Sequence, residues 1–159
     1  MKSRLFRFPC REQQIVLAAS VLQTFSEFRQ SDLMQPESGG LLFAEIRLPD
    51  VYIADATSPI PTDKCSRTCY IPDRKPQQKI IKDLFKQGLH LVGEWHTHPE
   101  PSPTPSSVDY LSMSQSFLLS THELNSFIMI IVGNHESQLN LWVSAHTGNS
   151  TCRLLESCS

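Results

Sequence analysis

The spacing of hydrophobic residues changes in the first half of the chain. Apolar side chains recur at helical spacing over residues 11–29, which predicts an amphipathic helix, and Pro36 prevents that helix from continuing. Residues 39–48 and 51–56 then have the pattern of two strands, separated by a turn at Pro49-Asp50. The first half therefore predicts one helix followed by a pair of strands.

The middle of the chain predicts a loop, a second helix and a strand. Residues 58–72 contain prolines and polar residues, so we expect a loop with a short strand near its end. A helix is expected over residues 76–87, because Pro76 suits a first helical turn and Gly88 suits a position just after a helix end. Residues 89–95 alternate as a strand does.

The last third predicts a helix and a strand hairpin. Residues 107–117 favour a helix, and residues 127–132 are apolar on both faces, which is typical of a central strand. Gly133-Asn134 indicates a hairpin, and residues 139–143 alternate on its return strand. The residues beyond about 148 carry no strong pattern.

The order of elements, the length and the charge limit the fold and the partners. Helices alternating with strands imply an α/β (α+β) fold, a mixed β-sheet flanked by helices, and 159 residues suit a single domain over residues 1–159. The 14 Lys and Arg against 16 Asp and Glu, with no basic run, predict no nucleic-acid partner. No apolar run is long enough for a bilayer or a signal peptide, so we expect no membrane association.

The cysteines do not form a disulfide pattern. Five cysteines occur at irregular spacing, so we expect free thiols in a cytoplasmic protein. Cys65 and Cys69 have the spacing of half a zinc finger, but no second pair follows at finger spacing. A thiol enzyme that uses one of them with a histidine is an alternative without a local motif. Three histidines in loops or near hairpin ends are expected to face solvent: His122, His135 and His146.

The alternation of the strand at residues 89–95 separates its side chains into two faces. One face carries Leu89, Leu91 and Trp95, and the other carries His90, Val92, Glu94 and His96. His90 and Glu94 thus share a face with His96, and either could support that histidine as a hydrogen-bond partner.

The candidate chemistry begins where this strand ends. His96 and His98 are two residues apart and therefore point the same way. With Asp109, brought back by a short helix, they supply three zinc ligands and leave the fourth position open, as catalytic zinc sites do. The alternative is structural, because Ser106 and Asp109 also have capping-box spacing beside two surface histidines.

The full spacing His-x-His-x7-Ser-x2-Asp favours the metal site. Four fixed residues at these offsets should occur by chance in on the order of one in several thousand chains of this length. The pattern resembles the motif of the JAMM (MPN+) metalloprotease family. Glu37, followed by Ser38 and two glycines, is similar to the family's upstream glutamate, and Trp95 and Pro99 flank the histidines as they do in the family.

The resemblance implies a fold and a mechanism. JAMM domains have a mixed sheet flanked by helices, with an architecture like that of cytidine deaminases. The resemblance implies that His96, His98 and Asp109 hold Zn²⁺, that Glu37 is the general base, and that Ser106 donates its hydroxyl to the oxyanion. Zinc can lower the pKa of bound water to about 7, which permits such chemistry at neutral pH.

The resemblance also indicates a substrate class. Family members cleave isopeptide bonds to ubiquitin-like proteins or process small-protein C-termini. It implies a protein substrate with an extended C-terminal tail, held near residues 58–75 and 113–125. The chain is similar to bacterial JAMM deconjugases of CBASS anti-phage systems, so a conjugated nucleotidyltransferase is the expected partner. The alternatives are a peptidase that processes a small carrier protein and a non-catalytic MPN scaffold.

Overall fold

The chain folds around a large β-sheet, and the computed structural model describes residues 1–32 and 34–157. The helices are α1 (Ala19–Phe28), α2 (Arg74–Phe85) and α3 (Ser107–Leu119). The strands are β1 (Arg4–Arg7), β2 (Gln14–Leu17), β3 (Gly39–Arg47), β4 (Asp50–Ala56), β5 (Lys64–Ser66), β6 (Cys69–Ile71), β7 (His90–Thr97), β8 (Phe127–Val132), β9 (Leu141–His146), β10 (Thr151–Arg153) and β11 (Leu155–Glu156).

The main sheet mixes parallel and antiparallel pairs. Its nine strands follow the order β10-β9-β8-β7-β3-β4-β2-β1-β11, and β5 and β6 form a separate two-stranded hairpin. The pairs β7–β8 and β2–β4 are parallel, whereas the other neighbours are antiparallel. The predicted α/β fold with a mixed sheet is therefore confirmed.

Helices cover both faces of this sheet. All six residues of β8 are buried, as expected for a central strand. Alternate residues of β8 belong to two different core clusters, one of which contains the buried side chains of α1 and the other Met113 of α3. Since the side chains of a strand alternate between faces, α1 and α3 lie on opposite sides of the sheet.

Most predicted elements are confirmed. The structure has strands near the predicted residues 39–48, 51–56 and 127–132, and α2 and α3 cover most of the predicted helices. Gly88 follows α2 with a φ of 81°, a left-handed conformation that glycine adopts without steric cost. The hairpin after residue 132 is also present, but residues 133–140 connect its strands, so its loop is longer than a two-residue turn.

The prediction of a helix over residues 11–29 is wrong in its first part. Residues 14–17 form β2, which pairs with β1 and β4, and α1 begins only at Ala19. Ile15 and Leu17 are both buried, and their two-residue spacing fits a strand as well as their wider spacing fits a helix. Pairing on both sides of β2 decides in favour of the strand. The predicted order of elements also lacks β1, β5, β10 and β11, each of two to four residues.

The expected face of Val92 is also wrong. Val92 packs in the same core cluster as Trp95. The register between β3 and β7 shifts at this point, because Leu42 pairs with Gly93 whereas Phe43 pairs with Leu91. The extra residue in β7 is a β-bulge, which interrupts the simple alternation that the sequence suggested.

Two further expectations concern the membrane and the cysteines. Within the described residues, none of the helices has the length and apolar content needed to cross a bilayer. Four cysteines have free thiols: Cys10, Cys65, Cys69 and Cys152. Cys158, the fifth, lies outside the described residues.

Candidate active site

The candidate site forms where three elements end or begin next to one another. β3 and β7 are antiparallel neighbours, and Gly39 at the start of β3 pairs with His96 at the end of β7. Glu37 comes just before β3, so it lies beside His98, which comes just after β7. Asp109 reaches the same place from the first turn of α3. Sheet register thus joins residues that are distant in the sequence.

The two histidines and the aspartate converge on one point. The Nε2 atoms of His96 and His98 are 3.2 Å apart. Asp109 Oδ1 lies 3.3 Å from His96 Nε2, and Oδ2 lies 3.5 Å from His98 Nε2. Nitrogen and oxygen ligands about 2.0–2.1 Å from a tetrahedral zinc ion are about 3.3 Å apart, so the three donor atoms have the spacing that zinc requires. These residues fit a metal ion and leave one side open.

The loop before α3 is anchored along its length. In the proline-rich segment, the Asn134 amide donates to the Glu100 carbonyl at 2.9 Å, and Asn140 Nδ2 donates to the Pro101 carbonyl at 2.7 Å. A Cβ at Gly133 would lie 2.7 Å from Pro103, so the loop packs closely on the β8–β9 connection. These contacts hold the path from the ligand strand to the ligand helix.

The start of α3 joins a helix cap to the proposed metal ligand. Ser106 is the N-cap residue, and its Oγ accepts a hydrogen bond from the Asp109 amide at 3.2 Å. Asp109 Oδ2 accepts from the Ser106 amide and hydroxyl at 2.6 and 2.7 Å, which completes a capping box. The capping box of the structural alternative is therefore present, but its two surface histidines are not: the His96 and His98 side chains are only 14% and 12% exposed, and the same carboxylate faces both.

The electrostatics of this group favour a charged Asp109. Burial raises the pKa of the Asp109 carboxyl, but hydrogen bonds from His96, His98 and Ser106 outweigh it and hold the pKa well below its usual range. Burial lowers the pKa of His98, whereas the hydrogen bond to Asp109 and the charge of Glu37 raise it, and the net shift is upward. The site is thus an electronegative pocket that attracts a cation.

Glu37 has the environment of a general base. Its side chain is 6% exposed, and its Oε1 lies 4.0 Å from His98 Nε2. Burial raises the pKa of Glu37 to about 7, assisted by the charges of Asp109 and Glu100 and opposed by His98. A carboxylate with a pKa near neutral can both accept and release a proton at physiological pH.

All five candidate site residues of the sequence line a cleft of about 440 Å³: Glu37, His96, His98, Ser106 and Asp109. Thr68, Cys69 and Tyr70 of the β5–β6 hairpin line one side, and Val108 and Met113 of α3 line another. Substrate contacts are expected from the segment that contains this hairpin, but the sequence pattern does not single out Tyr70.

The double glycine after Glu37 is a sequence signal for a close approach of another group at the start of β3. A Cβ at Gly39 would lie 2.5 Å from Cε1 of Tyr70. The glycine therefore makes room for an aromatic ring that lies over the start of β3. The Tyr70 hydroxyl donates to Asp63 at 2.9 Å, which fixes the ring inside the hairpin segment.

The other candidate residues have different roles. Glu94 bonds Arg74 and Ser116, and the ring of His90 packs edge-on against Phe85, so neither residue has the expected contact with His96 among the described atoms. Cys65 lacks the low pKa of a nucleophilic thiol, because burial and the charge of Asp63 raise the pKa of its side chain.

The expectation that His146 faces solvent is wrong. His146 is 1% exposed and lies in β9, with Nε2 at 2.8 Å from Ser144 Oγ and Nδ1 at 3.2 Å from Thr151 Oγ1. Its ring also packs against Tyr110 of α3. The return strand extends three residues beyond the predicted alternation, and this extension buries the histidine.

The chain is similar to known proteins along most of its length. A family model described as prokaryotic homologs of the JAB domain matches residues 18–145. A protein of Escherichia coli named CD-NTase/cGAS isopeptidase is 29% identical over 146 residues, which cover 90% of this chain and 88% of the relative. A Vibrio cholerae protein of the same name is 31% identical over 126 residues, which cover 77% and 78% of the two chains.

A solved structure supports the fold. The solution structure of a Desulfitobacterium hafniense protein matches 86% of this chain and 87% of its own with a TM-score of 0.62, at 19% sequence identity. The relatives and the His-His-Asp group together identify a hydrolase whose site suits a metalloprotease. With a family model matched from residue 18 to residue 145, the chain belongs to the prokaryotic homologs of the JAB domain, the JAMM/MPN-type hydrolases.

Proposed function

We propose that this protein is a zinc-dependent isopeptidase, which hydrolyses the amide between the C-terminus of a CD-NTase, a nucleotidyltransferase, and an amine of its target. The convergence of the His96, His98 and Asp109 donor atoms beside a buried glutamate carries the proposal. The relatives named CD-NTase/cGAS isopeptidase supply the substrate class. We place this activity in the cytoplasm, as part of a CBASS anti-phage system, and the free thiols suit that compartment.

His96, His98 and Asp109 would hold the zinc ion. A zinc ion bound there supplies a Lewis acid that polarises the scissile carbonyl and makes water acidic enough to lose a proton near pH 7. The negative charge of Asp109 and its contacts with both histidines support this assignment.

Glu37 moves the proton in the proposed reaction. Its carboxylate accepts a proton from the attacking water and later delivers it to the leaving amine nitrogen. Burial raises its pKa to about 7, which makes the carboxylate a stronger base than an exposed glutamate. Its burial also keeps bulk water away from the proton that it carries.

Ser106 stabilises the oxyanion in this proposal. Its hydroxyl donates to Asp109 in the structure, so the proton must turn from the Asp109 carboxylate to the developing oxyanion during the reaction. The capping box holds the hydroxyl at the edge of the cleft before substrate arrives. After this rotation the hydroxyl donates where charge develops in the transition state.

The substrate tail lies extended between the β5–β6 hairpin and α3. β6 pairs with β5 on one side, and Cys69 and Tyr70 of β6 line the cleft. An extended tail can add to the free edge of such a short strand through main-chain hydrogen bonds. Val108 and Met113 offer apolar contact on the opposite side.

The direct test uses a reporter protein joined to the C-terminal tail of a CD-NTase. Two versions are made, one with a peptide bond and one with an isopeptide bond to a lysine. We expect release directly after the last residue of the tail, with about one zinc per chain in the active protein. A strong chelator should stop release, and added zinc should restore it.

Two controls make the test decisive. A thiol-alkylating agent should leave release unchanged, because the proposal gives no role to a cysteine. A tail with its last residues altered should be released much more slowly. Equal cleavage of unrelated unfolded peptides would contradict the proposed substrate class, and loss of activity on alkylation with zinc retained would favour a thiol enzyme.

A further inference from the structure

Gln30 is a buried glutamine just after α1 that contacts three different parts of the site. Its side chain is 2% exposed. Its Oε1 accepts a hydrogen bond from Thr97 Oγ1 at 3.2 Å. Its Nε2 donates to the Gln35 carbonyl at 3.0 Å and to the Arg67 carbonyl at 2.9 Å. One planar amide thus links the ligand strand, the segment before Glu37 and the β5–β6 hairpin.

Thr97 connects this amide to the catalytic segment. It lies between His96 and His98, is fully buried, and points to the opposite face of β7. Its Oγ1 accepts a hydrogen bond from the Ser38 amide at 3.0 Å, and its own amide donates to the Ser38 carbonyl at 2.8 Å. The residue between the two histidines is therefore tied to the residue immediately after Glu37.

The hairpin completes the enclosure of Glu37. The Glu37 amide donates to the Ser66 carbonyl at 2.8 Å, and the next carbonyl, that of Arg67, accepts from Gln30. The backbone around Glu37 is consequently held at Gln35, at Glu37 itself and at Ser38. Gln30 bonds the Gln35 carbonyl directly. It acts on Glu37 through the hairpin and on Ser38 through Thr97.

We propose that Gln30 is a positioning residue for the hydrolysis: it sets the Glu37 carboxylate against the two histidines, through Thr97 and through the hairpin. This inference rests on the proposed role of Glu37 as the base. Glutamine suits the position because one side chain must supply an acceptor to Thr97 and two donors to carbonyls. Gln30 itself touches neither the metal ligands nor the cleft among the described contacts.

The test replaces Gln30 by methionine, which has a similar length and no hydrogen-bonding amide. We expect kcat on the tail reporter to fall about 10–100-fold, since a displacement of about 1 Å can cost on the order of 100-fold. KM should stay within about threefold, and the zinc content should stay at one per chain. Gln77→Met is the matched control, because Gln77 is also a buried glutamine, 4% exposed, but lies in α2, away from Glu37.

A second measurement is independent of activity. Amide hydrogen exchange by NMR should become at least about tenfold faster at Glu37 and Ser38 in Gln30→Met, while β8 and β9 stay protected. Gln77→Met should leave Glu37 and Ser38 protected. If the wild-type protein does not cleave the reporter, the proposed function fails, and exchange at these two amides still decides the role of Gln30.

Thr97 variants separate positioning from general stability. Thr97→Val removes the hydroxyl and should lower kcat as Gln30→Met does. The double variant with Gln30→Met and Thr97→Val should be no slower than the slower single variant. Thr97→Ser keeps the hydroxyl and should have a kcat near that of the wild-type protein. If Gln30→Met does not fold, Gln30→Glu replaces it: the acceptor for Thr97 remains, so Ser38 should stay protected while Glu37 exchanges faster. Unchanged kcat and unchanged protection in the Gln30 variant would overturn the proposal.

Discussion

The two sides of the cleft are built in different ways. The ligand side, residues 96–109, is local in sequence: a strand end presents two histidines, and a capping box holds Asp109 at the next helix start. The base side consists of Glu37, whose backbone and neighbours are held by Gln30, Ser66 and Thr97. One side is set by spacing, and the other depends on contacts between distant elements.

This difference indicates that metal binding and proton transfer can be disturbed separately. Loss of a metal ligand on the ligand side should remove the metal and the activity together. Changes on the base side should leave the metal in place and lower turnover. Measuring zinc and turnover side by side therefore separates a lost ligand from a lost base.

The largest effect is expected on the ligand side. Asp109→Ala removes a ligand. Loss of a residue that only hydrogen-bonds a ligand lowers metal affinity by roughly 10–100-fold, so loss of the ligand itself should lower zinc affinity by more. Turnover should fall with zinc occupancy. The same change removes half of the capping box, with a cost of about 1 kcal/mol in unfolding free energy.

A matched variant separates the two roles of this carboxylate. Asp109→Asn keeps a side-chain oxygen that can accept from the Ser106 amide, so most of the stability should return while zinc affinity stays low. Zinc content and thermal unfolding measured on both variants check this. Full zinc occupancy in Asp109→Ala would show that the ligand set is assigned wrongly.

An intermediate effect is expected at Ser106, which belongs to both the cap and the proposed oxyanion site. Ser106→Ala should lower kcat about 10²–10³-fold if its hydroxyl is the main side-chain donor to the oxyanion. Stability should also fall by about 1 kcal/mol, because the N-cap hydrogen bond to the Asp109 amide is lost. Ser106→Thr retains a hydroxyl and should recover much of both. A variant that loses stability but keeps kcat would leave Ser106 as a helix cap alone.

The smallest effect concerns His146, which packs under the ligand helix against Tyr110. Burial lowers the pKa of His146 to about 4 from its ordinary value of 6.5. Between pH 4 and pH 6.5, His146 is therefore mostly protonated in the unfolded chain and mostly neutral in the folded protein. Stability from this group is therefore complete above pH 6.5 and is lost as the pH falls towards 4. The expected loss between pH 7 and pH 5 is about 2 kcal/mol.

The check is urea unfolding of the wild-type protein and of His146→Gln at both pH values. The variant lacks this titrating group. Between pH 7 and pH 5 its free energy of unfolding should therefore fall by about 2 kcal/mol less than that of the wild-type protein. Equal pH dependence in the two proteins would contradict the burial-driven shift.

The sequence predicted the ligand side better than the base side, for a physical reason. The common direction of His96 and His98 follows from strand periodicity, and the pairing of Ser106 with Asp109 follows from capping-box spacing, both of which are local; the catalytic roles were implied by the family resemblance. Glu37 was identified through the family motif, but its neighbours Gln30 and Thr97 were not, because their contacts depend on sheet register. The strand β2 shows the same limit: residues 14–17 fit two periodicities, and pairing with β1 and β4 decides between them.

The central claim is that Glu37 acts as the base beside a metal that it does not hold. Glu37→Gln keeps the size of the side chain and removes the carboxylate. The control is the same substitution at Glu45, a partly exposed residue of β3, the strand that follows Glu37. Zinc content and cleavage of the CD-NTase tail reporter are measured together on both. We predict one zinc per chain and almost no turnover for Glu37→Gln, with normal turnover for Glu45→Gln. Near-normal cleavage by Glu37→Gln, or loss of its zinc, would contradict the account.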